Sequence, residues 1–142
     1  MTKRYSLKPR QEPSGLAIDV KNRRLFSVCG NRLMAISKPD SGKVLAARAI
    51  GQGPDGAAFD PTTGYAFSSN GDGTLTVVHE SGGKWEVVEN LATGRAARTI
   101  TLDEKTHNVY LPTAIPGPPP PAGQRGRATY LPDSFKVLVV GK

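Results

Sequence analysis

Three aspartates, Asp19, Asp60 and Asp103, recur at intervals of 41 and 43 residues and are the first candidates for chemistry. Brought together, three carboxylates would bind a cation or exchange protons. Each of them, however, follows a short apolar run and opens a polar turn, where an aspartate side chain accepts hydrogen bonds from backbone N–H groups. Equivalent positions of a repeat also lie far apart, so the spacing predicts three turn-capping carboxylates rather than one cluster.

The other reactive side chains complete no catalytic or metal-binding motif. His79 is expected at a strand end and His107 in a turn, both as polar surface positions without an acid–base partner nearby in sequence. The only cysteine, Cys29, is expected to be a small buried residue, and one cysteine excludes an internal disulfide. Residues 70–73, Asn-Gly-Asp-Gly, look like the start of a calcium loop but lack its later acidic ligands, which favours a tight turn. We expect no catalytic residue, metal site or cofactor.

The chain has 142 residues and a formal net charge of +7, which suits one small domain. Residues 1–48 carry 11 lysines and arginines against three acids, whereas the remainder is nearly neutral. Such asymmetry is compatible with a nucleic-acid or anionic partner, but no aromatic-and-basic motif accompanies it, so a solvated basic face is favoured. No apolar run is long enough to span a membrane, and the N-terminus has no export signal, so the expected location is the cytoplasm.

Internal repetition is the clearest architectural signal. The segments 13–20, 54–61 and 97–104 superimpose, and an aromatic residue follows each aspartate after seven positions. These aromatic residues are Phe26, Phe67 and Tyr110. Each copy contains short apolar runs between Gly-, Asn- and Asp-rich turns, with no long helical periodicity. Four strands about every 40 residues is the period of a β-propeller blade, so the sequence predicts an all-β fold with three four-stranded antiparallel blades per chain.

The chain resembles the YVTN-type, or YncE-like, family of β-propeller repeats. The resemblance rests on the Pro-x-Gly-x-Ala-x-Asp segments, on Asn-Gly-Asp-Gly-Thr-Leu-Thr-Val at 70–77 and on Ala-Thr-Gly-Arg at 92–95. It extends from about residue 11 to residue 142 and implies the closed propeller ring, usually of about seven blades, that is typical of relatives. Relatives are often exported, which implies a periplasmic or secreted protein if a leader had been removed. The resemblance does not specify function, because propellers carry many activities.

Three blades leave a ring incomplete, and the ends of the chain suggest how it closes. The predicted units are blade 1 at 11–51, blade 2 at 52–94, blade 3 at 95–142 with a proline-rich loop at 116–132, and an N-terminal strand at 1–10. Blade 3 stops after its third strand, and the N-terminal strand is expected to complete the last blade of a partner chain. Two chains would form a six-bladed homodimer, the favoured assembly, and three a nine-bladed ring. The alternative is a truncated or engineered piece of a larger propeller.

The loops between blades and those between the second and third strands share one face of a propeller, around its channel mouth. The residues expected there are Ser14, Asn31, Asp55, Asn70, Asp72, Arg98, Arg125 and Arg127. The arginines suit an anionic small molecule, because a guanidinium binds anions with two parallel hydrogen bonds. The sequence favours a non-catalytic binding scaffold that assembles with itself. The alternatives are a lactonase-like or quinoprotein-like propeller enzyme and nucleic-acid binding through the basic blade 1.

Overall fold

The computed structural model describes residues 3–6, 11–118 and 129–141. Within these ranges the chain forms eleven strands and no helix, and every strand pairing is antiparallel. The all-β prediction is therefore confirmed.

The strands form three sheets in which neighbours along the chain pair with each other. Blade 1 consists of β1 (Pro13–Asp19), β2 (Arg24–Cys29), β3 (Leu33–Ser37) and β4 (Val44–Ala49). Blade 2 consists of β5 (Pro54–Phe59), β6 (Ala66–Asn70), β7 (Thr74–Ser81) and β8 (Lys84–Ala92). Blade 3 consists of β9 (Thr101–Asp103), β10 (Asn108–Thr113) and β11 (Lys136–Val140). Among the described residues blade 3 thus has three strands, with β11 at its edge.

The three repeated aspartates cap the turn between the first and second strands of their blades, which confirms the sequence prediction. In each turn one carboxylate oxygen accepts a backbone N–H two or three residues later, at 2.9–3.0 Å. These bonds join Asp19 to Asn22, Asp60 to Thr62, and Asp103 to Lys105. The residue four positions after each aspartate has a positive φ, and these residues are Arg23, Gly64 and His107. One local conformation therefore recurs three times.

The hydrophobic core lies between blades rather than within one sheet. Between blades 1 and 2, the ring of Phe26 stacks on Phe59 with centroids 4.9 Å apart and meets Trp85 edge-on at 5.2 Å. Between blades 2 and 3, Phe67 and Leu111 belong to a second buried cluster. Because side chains alternate across a strand, blade 2 buries one face against blade 1 and the other against blade 3.

The sequence predicts an N-terminal strand at 1–10. Of these residues the structure describes 3–6, and they form no strand within the single chain. Tyr5 instead lies against the turn between β3 and β4, where its hydroxyl donates a 2.6 Å hydrogen bond to the Asp40 carbonyl. A fourth strand of blade 3 is likewise absent from the described residues.

The two stems of the proline-rich loop pair with each other. Gly117 N–H donates to the Thr129 carbonyl at 2.8 Å, and Leu131 N–H donates to the Ile115 carbonyl at 2.9 Å. Pro116 and Tyr130 form the bridge between these bonds. Residues 119–128, which include Arg125 and Arg127, lie outside the described residues.

Candidate functional site

The inter-blade connections and the turns between second and third strands meet at one end of the strands, as the sequence predicted for a channel mouth. Hydrogen bonds join the two kinds of loop there. Gly71 N–H donates to the Gly53 carbonyl at 2.8 Å, and Ala96 N–H donates to the Gly71 carbonyl at 3.0 Å. Backbone hydrogen bonds therefore join the loops at this end of the strands, which we call the mouth, to one another.

Asn70 does not belong to the surface of this mouth, which corrects its prediction as a ligand-facing residue. Its side chain is completely buried at the end of β6. The amide nitrogen donates to the hydroxyls of Thr74 and Thr76 at 3.0 and 3.1 Å, and the amide oxygen accepts from Ser68 at 2.9 Å. All four polar groups thus satisfy each other, and Asn70 serves the interior of blade 2.

Asp72 is exposed at the mouth but is committed to its own turn. Its two oxygens accept the Gln52 N–H at 2.6 Å and the Thr74 N–H and hydroxyl at 3.1 and 2.7 Å. Desolvation by itself would raise the pKa of this carboxyl, but the bonds from Thr74 and Gln52 outweigh it and hold the pKa below its usual value. Asp72 therefore fixes the connection between blades 1 and 2.

Arg98 and Asp55 are the charged pair that remains exposed at the mouth. The two residues occupy equivalent positions in blades 3 and 2, with Arg98 Nε 3.9 Å from the Asp55 carboxylate. Ser14, the equivalent residue of blade 1, donates its hydroxyl to the Pro54 carbonyl of the next blade at 2.8 Å. Asn31 is exposed in the turn between β2 and β3. Among the predicted residues that the structure describes, Arg98, Asp55 and Asn31 thus lie at the surface of this end of the strands.

A second polar pair, at the opposite end of the strands, was not predicted. Nδ1 of His107 in blade 3 lies 2.8 Å from Oδ2 of Asp60 in blade 2. The Asp60 side chain is 1% exposed, whereas His107 is 40% exposed. Burial by itself would raise the pKa of Asp60, but hydrogen bonds from Thr62, Thr63 and His107 outweigh it and lower the pKa below its usual value.

His107 is an exposed turn residue without a partner nearby in sequence, as predicted, but it has a partner 47 residues away, Asp60, that was not predicted. The repeat is the sequence feature from which this pair could have been predicted. His107 follows Asp103 by four positions, in the turn that faces the preceding blade.

An apolar groove of about 220 Å³ lies between blades 2 and 3, beside the edge strand β11. Val88 and Leu91 of β8 line one side, Val140 of β11 lines the other, and the Asp60–His107 pair lies at the polar end. In blade 1 the fourth strand, β4, packs along β8. The groove therefore occupies the place where a fourth strand of blade 3 would pack along blade 2.

Blade 1 presents an apolar outer surface, which we call the leading face and define by Leu16, Ile18 and Leu25. Leu16 and Ile18 are 62% and 45% exposed. Their equivalents in blade 2, Ala57 and Phe59, instead pack against the core between blades 1 and 2.

Blade 3 presents a complementary surface, which we call the trailing face and define by Tyr110, Val137 and Val139. Val139 pairs with Tyr110 across β10 and β11, in the same register in which Val77 pairs with Phe67 in blade 2. Phe67 and Val77 are buried against blade 3, whereas Val137 and Val139 are 49% and 59% exposed. The trailing face therefore carries the kinds of residue that form a core between two blades. Among the described residues, however, no following blade covers it.

Within the described ranges no three His, Cys, Asp or Glu side chains converge as a metal site would require. In the same part of the chain, no helix has the length and apolar character needed to cross a bilayer.

No protein family and no curated protein matches the sequence. Solved structures do match the fold. A hydrazine synthase structure from Kuenenia stuttgartiensis matches 80% of this chain with a TM-score of 0.65 and 13% identity. A nidogen/laminin complex matches 73% with a TM-score of 0.55 and 18% identity, and the computationally designed Ika4 protein matches 80% with a TM-score of 0.60 and 17% identity.

These similarities establish the fold class alone, which is β-propeller-like. The match covers 32% of the hydrazine synthase chain, 41% of the chain in the nidogen/laminin complex and 69% of Ika4. This chain therefore spans about a third of the first of these structures.

Proposed function

We propose that the protein is a non-catalytic β-propeller scaffold of the YVTN type, whose ring is completed by a second copy of the chain. The observation that carries this proposal is the equivalence of its two open faces with the two sides of its internal blade junctions. Ile18 occupies the position of Phe59, and Val139 that of Val77, and both blade 2 residues pack at junctions. A leading face meeting a trailing face would repeat a contact that the chain already makes twice.

The apolar character of the open faces supports association. Single exposed apolar residues are common on monomers, but contiguous apolar patches mark interaction surfaces. Burying the exposed aliphatic side chains of both faces would remove apolar area from water at each of the two junctions of a closed ring, and each such side chain contributes roughly 1.5–3 kcal/mol when fully buried. A closed ring of two copies buries both faces of each chain, whereas an open chain leaves one of each exposed.

The N-terminal segment supplies the fourth strand of the partner's blade 3 in this proposal. By the 41-residue repeat, β4 at Val44–Ala49 corresponds to residues 3–8, which precede β1 as β4 precedes β5. The groove beside β11 is the position this strand would occupy. The addition of a strand satisfies the exposed N–H and C=O groups of an edge, which a propeller otherwise leaves open to aggregation. Tyr5 would leave its hydrogen bond to Asp40 in the process.

The mouth of the completed ring is proposed as a site for an anionic small molecule. A two-fold ring would present Arg98 twice, and its guanidinium is 60% exposed beside Asp55. We expect Arg98→Ala to abolish binding of inorganic phosphate in calorimetric titration, with Lys105→Ala as a control at the opposite end of the strands. Equal phosphate binding by wild type and Arg98→Ala would exclude this site and leave the assembly proposal intact.

The assembly is tested by blocking one face at a time. We expect Leu16→Asp and Val139→Asp each to be folded monomers in sedimentation, because each variant damages both junctions of a ring of identical chains. Mixing the two variants restores one intact junction, between the trailing face of Leu16→Asp and the leading face of Val139→Asp, so dimers should reappear. Dimers formed by either variant alone would show that the interface pairs like faces and would overturn the proposed closure.

A further inference from the structure

Building on the proposed ring, we infer that its junction between copies is held by an ion pair between Arg23 of one chain and Asp103 of the other. The template is the internal junction of blades 2 and 3, where His107 reaches back to Asp60 at 2.8 Å. Arg23 is the blade 1 equivalent of His107, and Asp103 is the blade 3 equivalent of Asp60. When blade 3 of one copy precedes blade 1 of the other, the same step of the repeat brings Arg23 to Asp103.

The backbone presents Arg23 as it presents His107. Both residues have a positive φ, 55° and 62°, in turns closed by an equivalent aspartate. Residues other than Gly, Asn, Asp and His are uncommon in this conformation, so an arginine there stands against a local preference. The third equivalent, Gly64, has no side chain, and Asp19, the equivalent aspartate of blade 1, accepts from the Asn22 amide at 2.7 Å. The equivalent aspartates therefore have different side-chain partners, which are His107 for Asp60 and Asn22 for Asp19.

Arg23 is held in position and has capacity for another acceptor. Its Nε and one terminal nitrogen donate to the two oxygens of Asp40 at 3.1 and 2.5 Å. The second terminal nitrogen lies outside this bidentate contact, and a guanidinium has five N–H donors in a planar fork. Asp40 therefore occupies two of the guanidinium nitrogens within blade 1 and leaves the other terminal nitrogen for a second acceptor.

The Asp103 carboxylate can accept further hydrogen bonds. Its carboxylate receives the Thr106 hydroxyl at 2.7 Å and the Lys105 N–H at 2.9 Å, and these bonds hold its pKa below the usual value. A carboxylate has about four acceptor positions, so two remain for a guanidinium. Glu104 lies next to Asp103, while Lys21 lies two residues before Arg23, so the two turns also carry opposite charges.

A charge-reversal cycle on the full-length chain tests the inference, with the dimer dissociation constant measured by sedimentation over a dilution series. We expect Arg23→Glu to weaken the dimer about tenfold or more, because it places a carboxylate beside Asp103. The double variant Arg23→Glu/Asp103→Lys should recover most of that loss. Lys84→Glu makes the same change of charge at the start of β8 in blade 2 and should leave the constant within about twofold.

Arg23→Gly separates association from folding. Glycine suits the positive φ at residue 23, so the melting temperature measured below the dissociation constant, where the chain is monomeric, should stay close to the wild-type value while the dimer weakens. A wild-type dimer whose constant is unchanged in Arg23→Glu overturns the ion pair and leaves the proposed ring standing. A wild-type chain that remains monomeric at every concentration overturns both.

Discussion

Nδ1 of His107 lies 2.8 Å from Oδ2 of Asp60, across the junction of blades 2 and 3. One carboxylate thus has two tasks, because its other oxygen caps the turn at Thr62 and Thr63. The strength of the contact lies in its burial, since the aspartate is almost completely removed from water while the imidazole is partly exposed. A repeated turn-capping residue has here become part of the contact between two blades.

Acid should destabilise the fold partly through Asp60. Its folded-state pKa is lowered, so its contribution to stability is complete above the unfolded-state value of about 3.9 and is lost as the pH falls through the folded-state pKa. We expect Asp60→Asn to reduce the free energy of unfolding by about 1–2 kcal/mol at pH 7 and to flatten its fall below about pH 4. Urea unfolding from pH 7 to 3 measures both, with Asp133→Asn as an exposed control. An unchanged acid slope would contradict the assignment.

Asn70→Ala should lower the free energy of unfolding strongly, although Asn70 belongs to an Asn-Gly-Asp-Gly segment that is typical of exposed turns. The substitution leaves the hydroxyls of Ser68 and Thr76 without the amide in a buried site. We expect the free energy of unfolding to fall by about 2–3 kcal/mol, measured by chemical denaturation. Asn90→Ala, on the exposed part of β8, should change it by less than about 0.5 kcal/mol. Similar effects of the two substitutions would argue against a structural role for Asn70.

Phe26 and Phe135 should differ sharply in their effect on folding. Phe26 is completely buried between Phe59 and Trp85, so we expect Phe26→Ala to lower the free energy of unfolding by about 3–5 kcal/mol. Phe135 is 71% exposed, and Phe135→Ala should have little effect on the same measurement. Equal losses in thermal or chemical unfolding would mean that the inter-blade core does not dominate stability.

The features of the fold that a repeat encodes could be predicted from the sequence. Asp19, Asp60 and Asp103 cap equivalent turns, Cys29 is buried, and blade 3 has three strands in the described residues, all as expected. These features depend on local turn chemistry and on two-residue alternation, which are visible in a single copy.

The site residues were harder to predict because their roles depend on a neighbouring blade. Asn70 was expected at the surface since Asn-Gly-Asp-Gly is typical of exposed turns, but its amide turns inward to three hydroxyls. His107 has no partner nearby in sequence and finds one 47 residues away. Such pairs follow from the stacking of blades, which residue types alone do not specify.

Thr99, on the trailing side of blade 3, has a side chain where the equivalent residues at the internal junctions are glycines. Its equivalents are Gly15 and Gly56, where an added Cβ would lie 2.5 Å from the Asp55 carbonyl oxygen and 3.0 Å from the Arg98 carbonyl oxygen. We therefore expect Thr99→Gly to tighten the dimer about fivefold or more, because it removes atoms that the closed junction crowds.

Sedimentation of Thr99→Gly over a dilution series measures this change, and Ser81→Gly controls for the effect of glycine alone. A dimer that is unchanged or weaker in Thr99→Gly would show that the junction between copies differs from the junctions within the chain.

The molar mass of the intact chain in solution, measured by light scattering after size exclusion, tests the central claim most directly. A ring closed by a second copy predicts twice the chain mass of 15.1 kDa. A mass of one chain that persists at concentrations where the two open faces should associate would contradict the ring.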